Sequence, residues 1–261
     1  MPVATTSDGI AIHYTTIGAG DDVVLVHGLT DRSESWGAIS DALAATYRVT
    51  TLDLRGHGAS ADADDYRSIG MARDVAAVVA DAGIGNPLVV GHSLGGIVAT
   101  AYASDHVVRG VVNVDQSLQL SAFKDSLTQG APFLQDPSSF PAVIEMLFDG
   151  LNGAHIGAEM AAAIKSTSTP RQEVVLGVWN QVLDSTVEEL DRLVSEMCAT
   201  VSAPYLALIF GDDDPNYRAK LSEWLPQSLC EFWSGVGHFG HRERSPEFVA
   251  RVKNFDESLS R

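Results

Sequence analysis

The chain has 261 residues, two cysteines and a formal net charge of −17. Its length fits one large α/β domain or two small ones, and its 45% hydrophobic and 20% charged residues are ordinary for a globular enzyme. This composition excludes a disordered chain, a collagen-like repeat and a coiled coil. The negative charge argues against nucleic acid or an anionic membrane surface as a partner, and no apolar run reaches the roughly 18 residues of a membrane helix.

The N-terminal residues and the two cysteines indicate the cellular compartment in which the protein is expected. Residues 1–6 show no basic region followed by an apolar core, so the sequence predicts no signal peptide and a cytoplasmic protein. Cys198 and Cys230 form neither a disulfide framework nor a Cys-x-x-Cys pattern for metal or redox chemistry. We therefore expect two buried thiols in a reducing compartment.

The first part of the chain alternates short apolar runs with helical patterns. A hairpin turn signal at Asp8-Gly9 lies between two strand-like segments. The strands predicted after it are Val23–Val26, Val49–Leu54, Leu88–Val90 and Val111–Val114. The helices predicted between and after them are Trp36–Tyr47, Ile69–Ala82 and Leu94–Ala103. This alternation predicts a mostly parallel sheet covered by helices.

The pattern changes after Asp115. Residues 117–199 contain no strand-like run of comparable strength and indicate several short helices. Strands resume at Tyr205–Phe210 and Leu229–Trp233, and a last helix follows from Pro246. We predict a core formed by residues 1–116 and 200–261, with 117–199 as a helical lid. A second independent domain is the alternative, and the lid is favoured because both ends of the insert return to one sheet.

The most specific motif in the chain is Gly91-His92-Ser93-Leu94-Gly95, which fits G-x-S-x-G between a predicted strand and a predicted helix. A sharp strand–turn–helix presents the Ser93 hydroxyl at the carboxyl edge of the sheet, where the N–H of Leu94 can stabilise an oxyanion. An inert serine in a glycine-rich helix entry is the alternative. The strand and helix on either side favour a nucleophile.

A serine nucleophile needs a base and a carboxylate. His238 is the best candidate base, because it lies in a glycine-rich loop between the last strand and the last helix. His241 is the runner-up, although a solvated or capping role is more natural there. Candidate acids are the run Asp212–Asp214, which follows the strand Tyr205–Phe210, and Asp115, which ends the preceding strand.

Several motifs together resemble the α/β-hydrolase fold superfamily, and the resemblance covers nearly the whole chain. They are His27–Thr30, Asp53–Ser60, Gly91–Gly96, Gly211–Pro215 and Gly237-His238. The resemblance implies an α/β-hydrolase fold, with a mostly parallel eight-stranded sheet flanked by helices and a helical lid inserted after strand 6.

The resemblance also assigns roles to individual residues. The His-Gly turn of the superfamily supplies a second oxyanion N–H, which here falls on Leu29. The acid usually stands three residues after the glycine of a Gly-x-x-Asp turn, which maps to Asp214. Some members place the acid after the sixth strand, which would select Asp115. We predict the triad Ser93, Asp214 and His238, with oxyanion N–H groups from Leu29 and Leu94.

The function implied is a serine hydrolase that cleaves an ester, thioester or lactone, with no metal or organic cofactor. A carbon–carbon bond hydrolase uses the same triad, but its usual Gly-Asn-Ser-Met-Gly elbow is absent here. A cofactor-free perhydrolase of the haloperoxidase type stays open, as does a small-molecule receptor with slow turnover. Ser93 stands where epoxide hydrolases and haloalkane dehalogenases carry aspartate, which disfavours their chemistry.

The predicted lid supplies apolar side chains for a substrate pocket, namely Phe123, Phe140, Ile144, Phe148 and Trp179. Its basic residues are few: Lys124, Lys165, Arg171 and Arg192. Because a buried anion needs a cationic partner, we expect a small, largely apolar and uncharged substrate in preference to one with a free carboxylate. That small molecule is the only predicted partner; self-association into a homo-oligomer is left open.

Overall fold

The computed structural model describes residues 2–153 and 156–259, and these residues contain one eight-stranded sheet. Its strands are β1 Val3–Thr5, β2 Ala11–Gly18, β3 Asp21–Val26, β4 Tyr47–Leu52, β5 Leu88–His92, β6 Gly110–Val114, β7 Tyr205–Phe210 and β8 Ser228–Trp233. The strand order is β1-β2-β4-β3-β5-β6-β7-β8. Of the strand pairs among the described residues, only β1–β2 and β2–β4 are antiparallel, so the predicted mostly parallel sheet is confirmed.

Helices cover both faces of this sheet. They are α1 Gly37–Ala44, α2 Ser68–Asp81, α3 Leu94–Asp105, α4 Ser121–Gln135, α5 Phe140–Leu151, α6 Ala158–Thr167, α7 Gln172–Asp184, α8 Val187–Thr200, α9 Pro215–Trp224, α10 Gly240–Glu243 and α11 Ser245–Ser258. A short 3₁₀ helix, Ser33–Trp36, precedes α1.

The alternation of side chains along a strand divides the core into two layers. In β3, Val24 and Val26 pack with residues of α2 and α3, whereas Val23 and Leu25 pack on the opposite face with residues of α1 and α11. All four side chains are buried, which is why this strand appears in the sequence as a continuous apolar run.

The five helices α4–α8 lie between β6 and β7 and connect to the core at defined points. Helix α8 packs against α3, and the residues at and after the end of α6 bond to the loop that follows β3. The Thr169 N–H donates to the Thr30 carbonyl at 2.7 Å. The assignment of 117–199 as a lid stays a prediction.

Two further observations concern the described part of the chain. None of its helices combines the length and apolarity needed to cross a bilayer. Within the same residues, no three side chains of histidine, cysteine, aspartate or glutamate lie together so that they could hold a metal ion.

Candidate active site

Ser93 occupies the sharp turn between β5 and α3. Its backbone has φ 50° and ψ −124°, a conformation that non-glycine residues rarely adopt. Hydrogen bonds on both sides fix the turn: the Ser93 N–H donates to the Val114 carbonyl at 2.9 Å, and the Gly96 N–H donates to the Ser93 carbonyl at 2.7 Å. The predicted strand–turn–helix therefore exists, and it stores backbone strain at the serine.

The glycines of the motif are required by close backbone packing. A Cβ atom at Gly91 would lie 1.9 Å from the Gly95 carbonyl oxygen, and one at Gly95 would lie 2.2 Å from the Val26 carbonyl oxygen. Both distances are far inside van der Waals contact. Any side chain at these positions would push α3 away from the sheet and move Ser93.

His238 is held by a carboxylate and by two backbone contacts. Its Nδ1 atom lies 2.6 Å from Oδ2 of Asp115. Its N–H donates to the Leu151 carbonyl at 2.9 Å, and its carbonyl accepts from Nε2 of His92 at 2.9 Å. Because a carboxylate at Nδ1 places the ring proton there, Nε2 of His238 keeps the lone pair that a general base needs.

Asp115 is itself fixed by the backbone. It follows β6 in the left-handed region at φ 54°, and its Oδ1 accepts the Phe210 N–H at 2.7 Å. One carboxylate oxygen thus binds β7 while the other binds His238. Both side chains are largely buried, with 13% of Asp115 and 15% of His238 exposed, so little water competes for their contact.

The prediction that Asp214 holds His238 is wrong in this structure. Asp214 is the N-cap of α9, where its Oδ1 accepts the N–H groups of Asn216 at 2.9 Å and Tyr217 at 3.2 Å. The sequence contains the signal for this role, because aspartate followed by proline is typical of an N-cap and the first helical position. Asp213 pairs with Arg218.

The two predicted oxyanion residues lie at the same cavity as Ser93 and His238. Among the described residues, no acceptor receives the N–H of Leu29 or of Leu94. Neighbouring N–H groups are occupied: that of Thr30 donates to Nε2 of His57 at 3.3 Å. Two residues that line the cavity with Ser93 therefore have backbone donors without an acceptor among the described residues, and an oxyanion site requires such donors.

Other histidines at this edge of the sheet have structural roles. His27 accepts the Leu54 N–H at Nε2 and contacts the Gly28 carbonyl through Nδ1. His241 is not solvated as predicted but buried against Trp36 and Phe248. Burial lowers the pKa of His241 well below 6.5. A histidine held neutral between aromatic rings supports packing. Among the histidines that the structure describes, only His238 has both a carboxylate partner and a place at the cavity.

The cavity beside Ser93 has a volume of about 320 Å³ and largely apolar walls. Of the five predicted pocket residues, Phe123, Phe148 and Trp179 line it. Phe140 and Ile144 do not; they are buried and line a second cavity of about 570 Å³. The three residues of α5 are spaced four apart on one face of the helix, and only the Phe148 end reaches Ser93.

The acidic side chains that line the serine cavity are Asp31 and Asp115, and none of its described lining residues is a lysine or an arginine. The Lys124 ammonium instead donates to the carbonyls of Val182 at 2.9 Å and Leu183 at 2.7 Å. Arg171 is paired with acidic side chains outside the cavity. Sequence analysis missed Asp31, although its position two residues after Leu29 offered a signal.

Comparison with known proteins gives one consistent family. The model of the Alpha/beta hydrolase family matches residues 23–252. A non-heme haloperoxidase of Rhodococcus erythropolis is 33% identical over 272 aligned residues, which cover 88% of this chain and 94% of that protein.

Solved structures show the same architecture. An esterase from a Rhodococcus species is 27% identical with a TM-score of 0.74, and the alignment covers 99% of each chain. An N-acyl homoserine lactone degrading enzyme has a TM-score of 0.77 at 24% identity, with 97% of this chain and 100% of that chain covered. At that identity the second likeness shows the fold alone.

Proposed function

Because the chain belongs to the alpha/beta hydrolase family and is a hydrolase, we propose that it cleaves an ester, thioester or lactone of a small, largely apolar substrate. One observation carries the proposal. The imidazole of His238 is bonded to Asp115 and lines one cavity with Ser93 and with the unused N–H groups of Leu29 and Leu94. The proposed triad is Ser93, His238 and Asp115.

The proposed reaction has two stages. Ser93 Oγ forms a bond to the carbonyl carbon while Nε2 of His238 accepts the hydroxyl proton. The carbonyl oxygen becomes an oxyanion and is stabilised by the N–H groups of Leu29 and Leu94. The bond to the leaving group then breaks, and that group takes the proton from His238. Water repeats the sequence on the acyl-enzyme, releasing the acid and restoring Ser93.

The nucleophile is tested by Ser93→Ala with p-nitrophenyl butyrate as substrate. We expect kcat/KM to fall by about 10⁴- to 10⁶-fold, because triad members act as a unit. Ser126→Ala, which changes an exposed serine of α4, should retain the wild-type rate. A fluorophosphonate probe should label Ser93 in the wild-type protein. Near wild-type hydrolysis by a folded Ser93→Ala protein would refute the assignment.

Perhydrolysis is a second candidate, and its support is the 33% identity to the Rhodococcus erythropolis haloperoxidase. In this reaction hydrogen peroxide replaces water as the attacking group on the acyl-enzyme and releases a peracid. Peracid formation from acetate and hydrogen peroxide, followed by oxidation of bromide, would measure it. A Ser93-dependent peracid yield above that of an ordinary esterase would favour this candidate.

A further inference from the structure

The serine cavity adjoins the second cavity that Phe140 and Ile144 line. Four residues line both of them: Leu29, Asp31, Phe148 and Phe239. We call this set the junction. It contains one carboxylate, that of Asp31, and the aromatic rings of Phe148 and Phe239. A substrate that is attached to Ser93 and is longer than the serine cavity would extend past the junction.

Asp31 is a buried aspartate with 5% of it exposed, and unlike the buried Asp74 and Asp256 it pairs with no arginine in the described chain. Thr167 Oγ1 donates to its Oδ1 at 2.9 Å. In the described part of the chain no group donates to Oδ2, and no cationic side chain lies within 4.0 Å of the carboxylate. Oδ2 is therefore without a protein partner, and because it is not fully enclosed it is open to the cavities that Asp31 lines.

The charged groups around Asp31 form no ion pair with its carboxylate in the described part of the chain. His27, His238 and Arg242 face it, but the Arg242 guanidinium donates to Thr167 Oγ1 at 3.1 Å and to the Ala163 carbonyl at 3.0 Å. The Thr167 hydroxyl thus stands between the two charges. Burial raises the pKa of the Asp31 carboxyl, which reflects incomplete compensation by these neighbours. A cation bound at Oδ2 would complete its environment.

We propose that Asp31, Phe148 and Phe239 bind a cationic ammonium group of the substrate at the junction. A carboxylate beside aromatic rings is a combination that recognises ammonium ions through charge attraction and cation–π contact. The proposal rests on the proposed ester hydrolysis and adds a positive charge to its largely apolar substrate. It applies to esters that carry the charge in the alcohol part or in the acyl part.

The cations nearby are already engaged, which supports an external one. Lys165 lines the second cavity but pairs with Glu145, and Lys124 is bonded to backbone carbonyls. The formal net charge of −17 attracts cationic molecules toward the protein and disfavours anionic ones. Both observations match a site that excludes carboxylates and accepts ammonium groups.

Two pairs of isosteric esters test the proposal. Choline butyrate and 3,3-dimethylbutyl butyrate differ only in nitrogen against carbon in the alcohol part. Ethyl 4-(trimethylammonio)butanoate and ethyl 5,5-dimethylhexanoate differ in the same way in the acyl part. For at least one pair, the wild-type kcat/KM should be about tenfold or more higher for the cationic member. In Asp31→Asn this ratio should fall about threefold or more, because the carboxylate is lost while the rings of Phe148 and Phe239 remain. The ratio within each variant cancels any change in rate that both substrates share.

Two controls separate the site from general electrostatics. Asp125→Asn removes one exposed negative charge from α4 and should keep the wild-type ratio. Phe148→Leu keeps an apolar wall without the ring, so the ratio should fall about threefold or more. This second variant keeps the proposal testable if Asp31→Asn does not fold.

Binding to the Ser93→Ala protein distinguishes failure of this inference from failure of the proposed function. Titration calorimetry should give an affinity for one of the cationic esters about tenfold above that of its neutral partner, even if no ester is cleaved. Equal or weaker binding of both cationic members would overturn the inference. So would a preference that Asp31→Asn retains. Ester hydrolysis by the wild-type protein would then still stand.

Discussion

At the residue scale, two aspartates at the ends of neighbouring strands have separate roles. Asp115 bonds to His238 and to the Phe210 N–H, whereas Asp214 caps α9. Asp115 can reach the histidine because its left-handed backbone, φ 54°, turns its side chain toward the end of β7. Asp214 sits at the helix start, where its carboxylate is occupied by backbone N–H groups.

These roles predict opposite results for two matched variants. Asp115→Asn should lower kcat by about 10⁴-fold, because an amide at this position favours the wrong tautomer of His238. Asp214→Asn should keep kcat/KM within about twofold, since asparagine is also a good N-cap. Steady-state hydrolysis of p-nitrophenyl butyrate measures both. A large loss confined to Asp214→Asn would reverse our assignment.

At the scale of elements, the position of Ser93 depends on how closely α3 approaches the sheet. The glycines at 91 and 95 allow this approach because each faces a backbone carbonyl at a distance that leaves no room for a Cβ atom. Movement of α3 would displace Ser93 together with the Leu94 N–H. Packing of this one helix therefore affects both stability and catalysis.

Glycine substitutions test this dependence. Gly95→Ala should lower the free energy of unfolding by about 1–3 kcal/mol or more and reduce kcat, because the new methyl group meets the Val26 carbonyl. Gly85→Ala is the matched control, since a Cβ there has nothing within 4 Å. Urea denaturation and ester hydrolysis give the two readouts. Equal stability and activity of both variants would contradict the packing argument.

At the scale of the whole molecule, several histidines are buried where the loops meet the sheet. Burial lowers the pKa of His27, His92 and His241, and that of His57 to about 3. The folded chain therefore leaves these side chains neutral at pH values where an unfolded chain protonates them. Unfolding takes up protons below pH 6.5.

Stability should consequently fall as the pH falls from 6.5 toward 5.5. Each of these histidines lowers the free energy of unfolding by up to about 1.4 kcal/mol for each pH unit below 6.5. Above pH 6.5 it causes no further change. Burial raises the pKa of the Asp31 and Asp74 carboxyls, which act in the opposite direction at lower pH. Urea denaturation at pH 7.5, 6.5 and 5.5 measures the slope. A free energy of unfolding that is constant or rises toward pH 5.5 would be the contrary result.

The sequence by itself determined the order of the strands, the helices α1–α3 and α11, and the elbow, whereas it did not predict α9. The apolar run at β3, the helical periodicity of α2 and the glycines around Ser93 are local signals that survive in the fold. These signals can be recognised in the sequence because a strand buried on both faces, an amphipathic helix and a tight turn each require particular residue types at fixed separations. The candidate base, His238, follows from the same kind of local context.

Only the tertiary structure decided which carboxylate holds His238, which aromatic residues reach Ser93, and that Asp31 is buried. Asp115 and Asp214 both follow parallel strands, and the Asp-Pro signal at 214 indicates an N-cap without showing which carboxylate reaches His238. The backbone turn at Asp115 and the helix cap at Asp214 separate them. Phe140 and Phe148 share a helix face, and only the placement of α5 brings Phe148 to both cavities and Phe140 to the second one. These outcomes depend on contacts between residues distant in the chain, which local propensities and spacing do not encode.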